Sequence, residues 1–184
     1  EDRFSARAAE SFRWEAQPQA GELLTDVVQG LYLALLTFSE PGDGAIVQTP
    51  IYPPFLHAVP ECQRRLIVNQ LRCNGSAYAI DCDGLRAQGD DRTRLLLFCN
   101  PQNPTGRAFS RAELEKVAAV AIEHDLVVVS DEIHADLVYS PRQHVPFATL
   151  GPEIAARTVT LTSASKAFNI AGLRCAVAVF GSAD

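Results

Sequence analysis

Leu95-Leu96-Leu97-Phe98-Cys99, followed by Asn100-Pro101-Gln102-Asn103-Pro104-Thr105-Gly106-Arg107 and then by Ser110-Arg111-Ala112-Glu113, is the stretch that decides the fold class. Five apolar residues in a row, closed by a proline- and glycine-rich loop, predict a strand buried on both faces. Ser110 with Glu113 three residues on is a capping box and predicts a helix start. Leu114, Val117, Ala118, Ala121 and Ile122 then recur at helical spacing and form one apolar face. Leu126 to Val129 predicts the next strand, with Asp131 at its carboxyl end.

The same alternation extends in both directions. Upstream, Val27 to Phe38 predicts a helix that ends at Glu40-Pro41-Gly42-Asp43-Gly44. Ala45 to Gln48 predicts a short strand, and Thr49-Pro50-Ile51-Tyr52-Pro53-Pro54-Phe55 a stiff loop. Leu66 to Asn69 and Tyr78 to Ile80 predict extended pieces on either side of the Asn74-Gly75 turn. Downstream, Thr158 to Leu161 and Cys175 to Phe180 predict strands, with Ser163 to Lys166 at the end of the first. Strands alternating with helices predict a three-layer α/β/α domain on a mostly parallel sheet. Ligands of such sheets bind outside the carboxyl ends of the strands. The polar motifs after Cys99, Val129 and Leu161 all fall there.

The bulk properties narrow the partners. The chain has 184 residues, a net charge of -6 and no lysine- or arginine-rich run, which disfavours nucleic acid and anionic membranes as partners. No apolar run approaches the length of a membrane span, and Glu1 to Trp14 lacks the apolar segment of a signal peptide. Cys62, Cys73, Cys82, Cys99 and Cys175 include no C-x-x-C pair. They read as buried or incidental thiols in a reducing cytoplasm, and no metal site is expected. Of 16 basic residues only Lys116 and Lys166 are lysines. Arginine does not deprotonate under ordinary conditions, so it cannot serve as an amine nucleophile. A lysine in the serine-rich stretch Ser163-Ala164-Ser165-Lys166 therefore invites a chemical role.

Asn100 to Gly106, Ser130-Asp131-Glu132-Ile133-His134 and Ser163 to Lys166 together resemble the fold-type I enzymes that use pyridoxal 5'-phosphate (PLP), the aminotransferase class I/II superfamily, over nearly the whole chain. The resemblance implies that Lys166 holds the cofactor's aldehyde and moves protons. It implies that Asp131 faces the pyridine nitrogen and Asn103 the ring's phenolic oxygen. Ser163, Arg174 and the backbone amides of Val27 and Val28 would hold the phosphate. Many family members carry glycine where Asp26 stands. A carboxylate would repel the phosphate unless Asp26 turns away to cap the helix, and that arrangement is expected. The resemblance further implies a cis Asn103–Pro104 bond.

Thr49 to Phe55 and Asp131 to Leu137 are similar to the cystathionine β-lyase-like (C–S lyase) branch. In that branch Tyr52 would stack on the cofactor ring, and His134 would stand where aminotransferases place a tyrosine. Gln102 and Thr105 follow the wider superfamily. His57, His124 and His144 read as surface or loop residues, and Trp14 as packing. The expected function is β-elimination of cystathionine or related cysteine S-conjugates, acting on an amino-acid substrate in a homodimer. The alternatives are an aminotransferase and a PLP-sensing domain of a transcriptional regulator, which would carry a basic helix-turn-helix upstream. Family members are longer, so residues 1–184 are expected to be a PLP-binding large domain without its small C-terminal domain.

Overall fold

A computed structural model describes residues 2–16, 20–75 and 77–181. The elements in chain order are α1 (Asp2–Phe12), β1 (Gly21–Leu24), α2 (Val27–Phe38), β2 (Gly44–Thr49), α3 (Pro53–Glu61), β3 (Arg65–Gln70), β4 (Arg72–Cys73), β5 (Tyr78–Ala79), α4 (Cys82–Gln88), β6 (Thr93–Cys99), α5 (Arg111–Glu123), β7 (Val127–Asp131), α6 (Pro152–Ala155), β8 (Thr158–Thr162), α7 (Ala164–Ala167) and β9 (Ala176–Phe180). Seven strands form one sheet in the order β1-β9-β8-β7-β6-β2-β3. Only β9 runs against the rest. The expected three-layer α/β/α fold with a mostly parallel sheet is the observed one.

Side-chain alternation along each strand feeds two cores. Leu95 and Leu97 of β6, with Val129 of β7, pack against Leu31 and Leu35 of α2 and Phe55 and Val59 of α3. Leu96 and Phe98, with Val128, face Leu114, Val117 and Ala121 of α5 on the other side. Because helices cover both faces, the central strands read as unbroken apolar runs. Phe4 of α1 and Trp14 pack edge to face, 6.1 Å between ring centroids, beside Ala8 and Val179. Trp14 is thus a packing residue, as expected. Among the described residues, no helix is long and apolar enough to cross a membrane.

The capping box opening α5 is complete: Ser110 accepts from the Glu113 N–H, and Glu113 accepts from the Ser110 N–H at 2.8 Å. Burial works against the Glu113 charge, but hydrogen bonds from Ser110 and the neighbouring Arg107 outweigh it and hold the carboxyl below its ordinary range. Replacing Ser110 by alanine is expected to cost about 1 kcal/mol, read as a lower denaturation midpoint at unchanged slope. A midpoint equal to that of the wild type would remove the cap from the account of this helix.

Three features depart from the sequence reading. The stiff loop expected over Thr49–Phe55 ends early, because Pro53 opens α3; a proline's fixed φ and missing N–H suit the first helical turn. His144 lies in irregular backbone, as a loop residue should, but not at the surface: its side chain is 0% exposed and bonded to Glu132. Finally, α1, β1 and α4 were not anticipated. They are short or amphipathic, and α4 is announced only by the Asp81 cap, which accepts the Gly84 N–H at 3.0 Å.

Candidate active site

Topology explains why distant motifs meet. Strands β1, β2, β6, β7 and β8 all finish at one edge of the sheet, and β9, running oppositely, starts there. The start of α2, Tyr52, Asn103, Asp131, Lys166 and Arg174 each follow or precede a strand at this edge.

Asp131 ends β7 and is 5% exposed. Its Oδ1 accepts the Ile133 N–H at 3.0 Å. Burial pushes its carboxyl up to about 7; the Glu132 charge adds to the rise, while the Ile133 amide and the Lys166 charge oppose it. A buried carboxylate served so sparsely calls for a cation beside it. His134 sits one turn on and is half-buried. Burial holds its imidazole below the ordinary range, Lys166 acts the same way, and the Pro101 carbonyl opposes them.

Lys166 lies in the single helical turn α7, capped by Ser163, whose Oγ accepts the Ser165 N–H at 3.0 Å. It is exposed, yet its charge reaches both Asp131 and His134. The loop after β6 is stapled from within. Gln102 Oε1 accepts from the Thr105 N–H at 3.0 Å and from its hydroxyl at 2.6 Å. Asn100 Oδ1 accepts the Phe109 N–H at 2.9 Å. Gly106 takes φ +70°, a left-handed backbone that favours glycine. The Asn103–Pro104 bond is cis, as expected. Asn103 and His134 line one cavity of about 430 Å³, together with Leu137, Tyr139 and Arg142.

At the start of α2, Asp26 accepts the Gln29 N–H at 2.9 Å, the capping role expected of it. Its other oxygen takes the Arg174 guanidinium at 2.6 Å. Arg174 has a left-handed backbone, φ 47° and ψ 64°, which aims it back across the edge. The Val27 and Val28 amides, in the first turn, have no acceptor within their own helix and suit an anion. Asp26 therefore does not leave a bare negative charge beside them, since Arg174 neutralises it.

The convergence is not complete. Ser163 donates to the Cys175 carbonyl at 2.7 Å and lines a separate cavity of about 380 Å³ under α1. Tyr52 lies at the same edge but is 44% exposed. The sequence reading missed Glu132 and His144, which pair behind Asp131 at 2.7 Å. The signal available was a glutamate directly after a strand-end aspartate, with a histidine before Val145-Pro146-Phe147.

The family profile described as "Aminotransferase class I and II" matches residues 13–183. The chain belongs to the aminotransferase class I and II family. Within this family it is 41% identical to Cystathionine beta-lyase PatB of Bacillus subtilis (strain 168) over 167 residues, 90% of this chain and 43% of that protein. It is 32% identical to the Probable N-succinyldiaminopimelate aminotransferase DapC of Mycobacterium tuberculosis (strain ATCC 25618 / H37Rv), covering 92% of this chain and 43% of DapC. Among solved structures, cystalysin from Treponema denticola, which contains a pyridoxal 5'-phosphate cofactor, superposes with a TM-score of 0.97 at 33% identity, over 100% of this chain and 47% of cystalysin. The chain spans less than half the length of these relatives.

Proposed function

We propose that this chain is the PLP-binding large domain of a longer protein, and that the full-length protein is a C–S β-lyase acting on cystathionine or related cysteine S-conjugates. The observation that carries the cofactor assignment is the Asp131 carboxylate, buried at the strand-end edge with one hydrogen bond from the Ile133 amide and pushed up to about 7 by burial. A protonated pyridine nitrogen would supply the cation that a buried carboxylate calls for. PLP supplies an aldehyde that condenses with amines and a ring that accepts electrons from the substrate carbon.

The chain's own residues do the rest. Lys166 would hold the aldehyde, and its Nζ, once free, would take the proton from the substrate's α-carbon and give it to the departing thiolate. Asp131 would keep the ring nitrogen protonated. Asn103 and His134 would donate to the phenolic oxygen, and Tyr52 would pack on the ring. Arg174, Ser163 and the Val27 and Val28 amides would hold the phosphate, with Arg174 sharing its Asp26 partner and the Ser163 hydroxyl turned from Cys175. The likeness to lyases named for cystathionine, at 41% against 32% for an aminotransferase, supports elimination over transamination. We read the protein as a cytoplasmic homodimer with an amino-acid substrate.

Products separate the two reactions, because both begin with loss of the same α-proton. The full-length enzyme is incubated with cystathionine and no keto acid, and pyruvate and free thiol are followed. Steady release over many turnovers is expected. A halt after one turnover, relieved by a keto acid, would assign the protein to the aminotransferases.

A further inference from the structure

Directly after Asp131, on the opposite face of the sheet, lies a buried polar group that has been given no role above. Glu132 is 4% exposed and His144 6%. Glu132 Oε1 accepts from the Ser130 hydroxyl at 3.0 Å and from the Phe147 N–H at 2.8 Å. Its Oε2 takes His144 Nε2 at 2.7 Å. His144 Nδ1 is buried without a partner among the described residues, so the ring carries its hydrogen on Nε2. Phe12 of α1 closes over the ring, 5.4 Å between centroids at 82°.

Strand alternation puts this group on the opposite face from Asp131. Val129 belongs to the core against α2, whereas Val128 and Phe147 belong to the core against α5. Ser130 shares the second face, and Asp131 shares the first. Residue 132 is also the backbone hinge between the two cofactor-facing side chains. Its N–H goes to the Leu161 carbonyl at 2.8 Å, and its carbonyl accepts the Ala135 N–H at 2.9 Å. Three donors satisfy this buried carboxylate, and they come from two segments, β7 and the stretch leading to Phe147. Fixing Glu132 fixes the turn, and the turn carries Asp131 on one side and His134 on the other.

We infer that Glu132, clamped by His144 and Ser130, is a positioning residue that sets the aim of Asp131 and His134 on the cofactor. This rests on the PLP reading above. The test uses full-length protein loaded with PLP, comparing H144L, S130A and E132Q with wild type. The readouts are kcat per bound cofactor, KM, and the visible circular dichroism of the bound cofactor, which reports how asymmetrically its surroundings hold it. H144L is expected to lose on the order of 10²-fold in kcat, the scale of a roughly 1 Å misplacement, with KM little changed and the dichroism altered. S130A should shift in the same direction by less. E132Q keeps the acceptor for Ser130 and Phe147 but turns an amide NH2 toward the His144 Nε2–H, so it should also lose kcat and alter the dichroism, by less than H144L. Wild-type kcat and dichroism per bound cofactor in H144L would overturn the inference. Should H144L fail to fold, the same result in S130A would overturn it. Wild-type protein that takes up no PLP would instead refute the cofactor reading.

Discussion

Replacing Lys166 by alanine in the full-length protein is expected to end covalent attachment of PLP and to slow turnover by at least 10²–10⁴-fold, roughly the contribution of a positioned proton-transfer group. The expectation rests on placement. Lys166 stands in a single turn at the end of β8, and its charge is felt at both Asp131 and His134. Lys116, the other lysine, is exposed on α5, whose apolar face packs on the far core. Borohydride reduction of the wild type followed by peptide mapping should label Lys166 alone. A small primary amine added to the Lys166→Ala variant should restore part of the rate, because the missing group is an amine and not a shape. Labelling at Lys116, or a variant that still turns over at the wild-type rate, would remove Lys166 from the chemistry.

Asp131→Asn is the second large effect, and it has opposite signs for stability and for turnover. In the cofactor-free protein the Asp131 carboxyl is raised from 3.8 to about 7. The folded state therefore binds more protons than the unfolded state between these values, and stability falls as pH rises through that window. Three pH units correspond to at most about 4 kcal/mol. Below the window the protonated acid and the amide are near equivalents. Above it, the variant should be the more stable protein by up to that amount. Lowered carboxyls such as Asp43 and Asp90 act in the other direction and at lower pH, and they cancel in the comparison. Urea melts of both cofactor-free proteins across pH 4–8 measure the difference. A difference that does not vary with pH would show that Asp131 does not bury a charge. With PLP bound, the same substitution removes the anion opposite the ring nitrogen and should slow turnover by on the order of 10²–10³-fold, the scale of one lost electrostatic partner in an active site.

The parts of this protein legible in the sequence are those set by local chemistry. Ser110 with Glu113 announces a capping box because the two side chains satisfy each other's backbone within one turn. Leu95 to Cys99 announces a strand buried on both faces, because only such a strand tolerates apolar residues at consecutive positions. Asp131, Asn103 and Lys166 stand out because each is a polar residue placed just where an apolar strand stops.

Other features depend on segments far apart in the chain, and no local pattern encodes them. His144 carries no periodic signal of its own; it is buried because the 138–147 segment folds back beneath β7, where its Nε2 pairs with Glu132 Oε2. Arg174 reaches Asp26 across 148 positions because β9 runs against its neighbours and brings its start to the edge where α2 begins. The residue types, their spacing and the strand ends were determined by the sequence itself, since hydrogen bonding and hydrophobic periodicity act within a few residues. Which carboxylate is raised by burial, which is clamped and which is neutralised by an arginine was decided only by the tertiary structure. Burial and long-range pairing set the energy of a charge, and both are properties of the folded neighbourhood.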